Sequence, residues 1–123
     1  MTFAQASQES ASNQGVARVI ARAREQADLS SADLARIVGV GERQIQNWAA
    51  GRSGPGSKEK LRQLLDLQYV LDLVREIYED DGAVMWLHAR NRMLGGGRPL
   101  DLLAEGRTDE VINLLDRIAD GNH

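Results

Sequence analysis

Apolar side chains recur every three or four positions along most of this chain, the spacing that lines one face of an α-helix. Val16, Val19, Ile20, Ala23 and Ala27 open the pattern with Arg18, Arg22 and Arg24 off the stripe, which predicts a first helix ending near Asp28. Residues 1–14 ahead of it are rich in Ser, Gln, Ala and Asn and bear a single charge. With so little to bury, they are expected to form a flexible tail. Ser30 is placed to cap a second helix from Ser31 to about Val38, and Gly39 supplies a turn able to take positive φ. A third helix follows from about Glu42 to Ala50, stopped by Gly51.

The run Gly51-Arg-Ser-Gly-Pro-Gly56 is the clearest linker, since Gly and Pro disfavour helix continuation. A longer helical pattern then runs from Lys58 to about Glu79, roughly 33 Å if unbroken at 1.5 Å per residue. Its apolar residues are too many for one stripe. Leu61, Leu64, Leu65, Leu71 and Val74 form one face, while Leu67, Val70, Leu73 and Ile77 widen it. Such a helix asks for burial on two sides and is expected to join the halves and meet a second subunit. A short helix through Trp86 and Leu87 is followed by a loop from Asn91 to Arg98. Pro99 then begins a helix to about Glu105, and Thr108 is expected to cap the last one, striped by Val111, Leu114, Leu115 and Ile118. No useful strand-like alternation appears, so the fold class is all-α. The organisation read from the pattern is a tail at 1–14, a DNA-binding unit with its linker at 15–56, and a helical unit at 57–123.

Charge sharpens this division. The net charge of −3 argues against a nucleic-acid binder taken whole, yet residues 1–60 carry a small excess of Lys and Arg while residues 61–123 are clearly acidic. Any DNA contact therefore belongs to the front half. The chain has no cysteine, which removes disulfides and thiolate metal sites and suits a reducing cytoplasm. The N-terminal stretch shows no basic start followed by an apolar run, and nowhere do eighteen consecutive apolar residues occur, so neither secretion nor a membrane span is expected.

Residues Leu29 to Gly51 satisfy several demands of two helices crossing at close range. Ala35 is small where they touch, Gly39 sits in the turn, Leu34, Val38 and Val40 face inward, and Ile45 with Trp48 gives the third helix its inward face. The run resembles the helix-turn-helix of the Xre and phage-repressor family, with Gly41 to Trp48 as its recognition helix. Gly41 stands where that family usually has a capping Ser or Thr. Glu42, Arg43, Gln46 and Asn47, flanked by Gln44, point away from Ile45 and Trp48 and are the candidates to enter a major groove. Arg pairs with guanine, Asn or Gln with adenine, and Glu accepts from cytosine. Arg52, Lys58 and Lys60 just beyond are candidates for phosphates, which give register and affinity without sequence choice. With so few basic residues one copy should bind weakly, and two modules about 34 Å apart would read an inverted repeat.

The C-terminal half holds no catalytic constellation. His88 is the only internal histidine, there is no GxSxG or phosphate-loop pattern, and no cofactor or metal is called for. The chain is accordingly expected not to be an enzyme. One feature stands out: no acid occurs between Asp81 and Asp101, while Arg90, Arg92 and Arg98 cluster around a Gly-rich loop. On physics alone, a cationic loop suited to an anionic pocket and a merely solvated loop are evenly matched. The stretch Trp86-Leu87, Asn91-Arg92-Met93-Leu94-Gly95, Arg98-Pro99, Leu102-Leu103, Glu105-Gly106, Val111, Leu114-Leu115 and Gly121 resembles the toxin-binding domain of the Xre/MbcA/ParS antitoxins. It departs from them at Arg90, where a proline often stands, and in its extra Gly96 and Gly97. The resemblance implies an antitoxin whose partner is a RES-type toxin that consumes NAD, encoded beside it. The antitoxin would block the toxin's active-site entrance through Asn91, Arg92, Leu94, Gly95 and Arg98, and repress their shared operon by binding operator DNA. A homodimer, or a larger hetero-oligomer with the toxin, is expected. The competing readings are a free-standing dimeric transcriptional regulator with a C-terminal dimerisation or ligand-sensing module, and a structural adaptor that never touches DNA.

Overall fold

The computed structural model describes residues 3–121. Among them are seven α-helices: α1 (Phe3–Ala27), α2 (Ser31–Val38), α3 (Glu42–Ala49), α4 (Lys58–Ile77), α5 (Asp80–His88), α6 (Pro99–Ala104) and α7 (Thr108–Ala119). A single 3₁₀ turn, Arg92–Leu94, sits between α5 and α6. No helix of the described residues is long and apolar enough to cross a membrane.

The helix starts follow local chemistry. The Ser30 side chain accepts from the Asp33 N–H, and Asp33 accepts in return from the Ser30 N–H, both at 3.0 Å, a reciprocal cap that fixes the start of α2. Ser57 starts α4 by accepting from the Lys60 N–H. Pro99 occupies the first turn of α6, where its missing N–H costs nothing. Thr108 does not cap α7; it lies within the first turn, and Arg107 holds the cap position without a side-chain cap bond. Asp109 and Glu110 in that turn instead complement the positive end of the helix dipole.

Two expectations about the long helices need correction. α1 begins at Phe3, so residues 3–14 are helical rather than a flexible tail; Met1 and Thr2 lie outside the described residues. Ala, Gln and Glu in this stretch are good helix formers, and neither Pro nor Gly intervenes before Gly15. Helix therefore propagates back from the packed segment at little cost. α4 buries Leu64, Leu67, Val70, Leu71 and Val74, leaving Leu61 and Leu65 on the outside. Its inward face follows what it packs against, α1, α2, α5 and α7.

The core is continuous through both halves. Val16, Ile20, Leu34, Ile45 and Trp48 of the first three helices belong to one buried cluster with Leu64, Leu87, Leu102, Val111 and Leu115 of the last four. Each fully buried Leu or Ile among them contributes about 1.5–3 kcal/mol relative to exposure. Two ion pairs cross between halves: Arg22 of α1 to Asp72 of α4 at 2.8 Å, and Arg36 of α2 to Asp101 of α6 at 3.2 Å. His88 also bridges, its Nε2 lying 2.8 Å from the Ala27 carbonyl at the end of α1.

Candidate DNA and partner interfaces

The helix-turn-helix is held from beneath. Gly39 ends α2 at φ 79°, and its N–H donates to the Ala35 carbonyl at 2.8 Å. A Cβ added there would meet the Lys60 ammonium at 2.8 Å, a contact the flexible lysine can relieve, so it is the positive φ that calls for glycine. Lys60, a candidate phosphate ligand, thus lies at the C-terminal end of α2, where a cation is favoured by the helix dipole. Ile45 and Trp48 form the buried face of α3 and Ala49 packs partly against the core, so the polar side chains of the helix lie on the other side.

On that outer surface Glu42, Arg43, Gln44 and Gln46 are exposed and Asn47 is half-buried. Gln44 is also engaged within the fold, where its Oε1 accepts from the Gly41 N–H at 3.2 Å. The bond supplies one half of a capping box whose other half Gly41 lacks, which explains how α3 starts without a capping hydroxyl. A Gln three residues after the cap position is the sequence signal for this role. Asn47 accepts from Arg52 through Oδ1 at 3.1 Å, so two of the candidates are already paired. The Asn47 amide oxygen keeps a second lone pair for a base. Arg52 and Lys58 are both exposed on the segment after α3.

The Asn91–Arg98 loop is built rather than loose. Asn91 caps the 3₁₀ turn by accepting from the Met93 N–H at 2.9 Å, and its N–H donates to the Gly97 carbonyl at 2.9 Å. Its own carbonyl accepts from Leu94 and Gly96. Gly95 and Gly96 take φ of 68° and 86°, and a Cβ on Gly97 would meet Leu102 Cδ1 at 2.7 Å. The glycines therefore close the turn and let it approach the core. Leu94 is 7% exposed and anchors the loop inward, so of the five residues expected to meet a partner it acts by positioning. Arg92 and Gly95 are exposed, as is Arg90, and neither Arg90 nor Arg92 meets a carboxylate among the described residues.

Arg98 is committed to an internal partner. Its guanidinium grips Asp101 with two parallel bonds, Nε to Oδ2 at 2.9 Å and Nη2 to Oδ1 at 3.0 Å, a fork geometry that carboxylate and guanidinium share. Arg36 reaches the same Oδ1 from α2. These hydrogen bonds, Arg98 first, hold the Asp101 carboxyl down at about 2. Asp101 in turn raises the Arg98 guanidinium above its ordinary value. The loop's C-terminal end is thereby tied to the helix-turn-helix.

Sequence reasoning missed Asp101 and Arg36, which lie 65 positions apart with no pattern joining them. It also passed over Met85 and Met93, which are 69% and 59% exposed. Met93 sits beside Arg92 in the loop, and thioether side chains adapt readily to an apolar partner surface.

Residues 72–121 match the antitoxin Xre/MbcA/ParS C-terminal toxin-binding domain, and residues 20–68 match a helix-turn-helix domain. The chain is 34% identical over 93 residues to Probable mycobacterial cidal antitoxin Rv3188 of Mycobacterium tuberculosis, covering 76% of this chain and 78% of that protein. It is 32% identical over 106 residues to the mycobacterial cidal antitoxin MbcA of Mycobacterium bovis, covering 86% and 93%. A chain in the crystal structure of the M. tuberculosis MbcT–MbcA toxin–antitoxin complex superposes with a TM-score of 0.71 at 32% identity, over 87% of this chain and 96% of that one. An all-helical chain with a helix-turn-helix in front and a toxin-binding domain behind, it belongs to the Xre/MbcA/ParS antitoxin family.

Proposed function

We propose that this antitoxin neutralises a RES-type toxin that consumes NAD, encoded beside it, by seating the Asn91–Arg98 loop over the toxin's active-site entrance. Through α3 it represses their shared operon. The observation that carries the reading is the loop itself, a hydrogen-bonded turn that presents exposed Arg92 and Met93 from within the stretch matching the toxin-binding domain. A preformed loop forfeits less conformational entropy on docking than a mobile one. Arg92, with Arg90 beside it, supplies positive charge for a pocket built around anionic groups, and Met93 supplies adaptable apolar contact. Arg98 contributes from behind, by fixing the end of the loop on Asp101. The resemblance to MbcA, which occurs in a complex with the toxin MbcT, favours this over a free-standing regulator.

The test reverses the exposed charges and spares Arg98, because an acid at position 98 would face Asp101 and damage the loop for internal reasons. Arg90→Glu with Arg92→Glu is co-expressed with the neighbouring toxin while growth and cellular NAD are followed. Breaking partly desolvated charge contacts costs about 2–5 kcal/mol, on the order of a hundredfold or more in affinity, so toxicity should return and NAD should fall. Helicity and DNA binding should be unchanged. Full neutralisation by the folded double variant would move the toxin-binding surface to the helices around the loop.

A further inference from the structure

Methionine ordinarily fills gaps in a core, yet both internal methionines of this chain lie outside it. Met85 on α5 is 69% exposed and Met93 in the 3₁₀ turn is 59% exposed, while the buried cluster is built from Val, Leu, Ile, Ala and Trp. The chain has no cysteine, so its exposed thioethers are the groups most open to two-electron oxidation. The turn around Met93 is fixed without help from its side chain. The Met93 N–H donates to Asn91 Oδ1 at 2.9 Å, and Leu94 pins the next position in the core. A change of chemistry at the Met93 sulfur therefore leaves the fold alone and alters only what the loop presents.

We propose that Met93 is a modification site, at which oxidation by a peroxide to the sulfoxide disables the free antitoxin for toxin capture. The inference rests on the docking of the Asn91–Arg98 loop set out above. The thioether sulfur attacks one oxygen of hydrogen peroxide, and an S–O bond forms as the O–O bond breaks. The proton on the transferred oxygen passes through solvent to the departing hydroxide, which leaves as water. Sulfur gives up two electrons and the peroxide takes them. The product puts a polar S=O group where an adaptable apolar surface stood. In the free chain that oxygen keeps water as its partner. Docking strips the water away, and a polar group buried without a replacement hydrogen bond weakens binding by roughly tenfold or more. The same docking covers the sulfur, so toxin already bound protects Met93 and only unengaged antitoxin is lost. Met85, outside the loop and the more exposed of the two, is the reference for intrinsic reactivity.

The test treats the full chain with hydrogen peroxide, locates each added oxygen by peptide mass, and measures affinity for the neighbouring toxin before and after. Met85→Leu, which keeps Met93 as its internal thioether, should lose roughly tenfold or more on oxidation. Met93→Leu, compared with itself before and after, should hold its affinity. Met93→Gln, a polar side chain of similar length, should bind more weakly than the parent without any peroxide. Helicity and DNA binding should be unchanged by the treatment. In the preformed complex Met93 should take up oxygen more slowly, relative to Met85, than in the free chain. Unchanged affinity of Met85→Leu with Met93 fully oxidised, an equal loss in Met93→Leu, or a loss of helicity would overturn the proposal. Shielding separates the two readings. A Met93 that is shielded by toxin yet indifferent to oxidation overturns this inference alone, whereas a Met93 equally reactive in both states removes the docking of the loop as well.

Discussion

Asp101 binds two arginines from different parts of the fold, Arg98 at the end of the Asn91–Arg98 loop and Arg36 in the helix-turn-helix. Its side chain is 32% exposed, so solvent screens the pairing, and exposed pairs of this kind contribute about 0.2–1 kcal/mol. The pH dependence is the clearer signature. The folded carboxyl titrates near 2, against an ordinary value of 3.8. A depressed carboxyl contributes stability that is fully present above the unfolded value and is lost as pH falls through the folded one. Denaturant titrations of the parent should thus lose this contribution between pH 3.8 and about 2. Asp101→Asn should be slightly less stable at neutral pH and show a flatter profile in that window. Equal slopes for the two proteins would show that the pairing is not populated in solution.

At the scale of elements, α3 separates its duties by face. Ile45 and Trp48 hold it to the core, Gln44 closes its N-terminus on Gly41, and Arg43 takes part in neither. Arg43→Ala should accordingly leave unfolding stability within about 0.5 kcal/mol of the parent. It should lower affinity for the DNA upstream of the chain's own reading frame by about 1–3 kcal/mol and relax preference at one base of each half-site. Binding curves at one fixed salt concentration check this; unchanged affinity removes Arg43 from base reading. The Asn91–Arg98 loop divides its residues in the same way, with Asn91, Leu94 and the glycines spent on shape and Arg92 and Met93 left outward.

The whole molecule has one core, and α1, α2 and α4 connect its two ends. A cavity at Leu115, on the fully buried face of α7, should therefore weaken the helix-turn-helix as much as the C-terminal helices. Leu115→Ala should cost about 2–5 kcal/mol. The two tryptophans offer the measurement, since Trp48 lies in α3 and Trp86 in α5. In a Trp86→Phe background, the Trp48 emission midpoint in denaturant should shift downward with Leu115→Ala. An unmoved midpoint would mean that the front half unfolds independently.

Helices α2, α3, α4, α6 and α7 were legible in the chain to within a residue or two, because Ser30, Gly39, Ser57 and Pro99 act on the backbone nearest them, whereas α5 was legible only as a short helix through Trp86 and Leu87. The sequence by itself also determined the family, through residues whose order and spacing survive without coordinates, and the outward candidates of α3, because Ile45 and Trp48 set the helix phase. Packing alone selected which of several apolar faces is inner and which polar side chains are already engaged. α4 has more Leu and Val than one stripe can hold, and only the surrounding helices select Leu67 and Val70 over Leu61 and Leu65. Composition alone left residues 3–14 without a reason to be ordered, whereas an adjoining packed helix lets them extend it. The pairing of Arg98 and Arg36 on Asp101 depends on the docking of α2 against α6, and a contact made across so much chain leaves no periodic trace for a sequence to show.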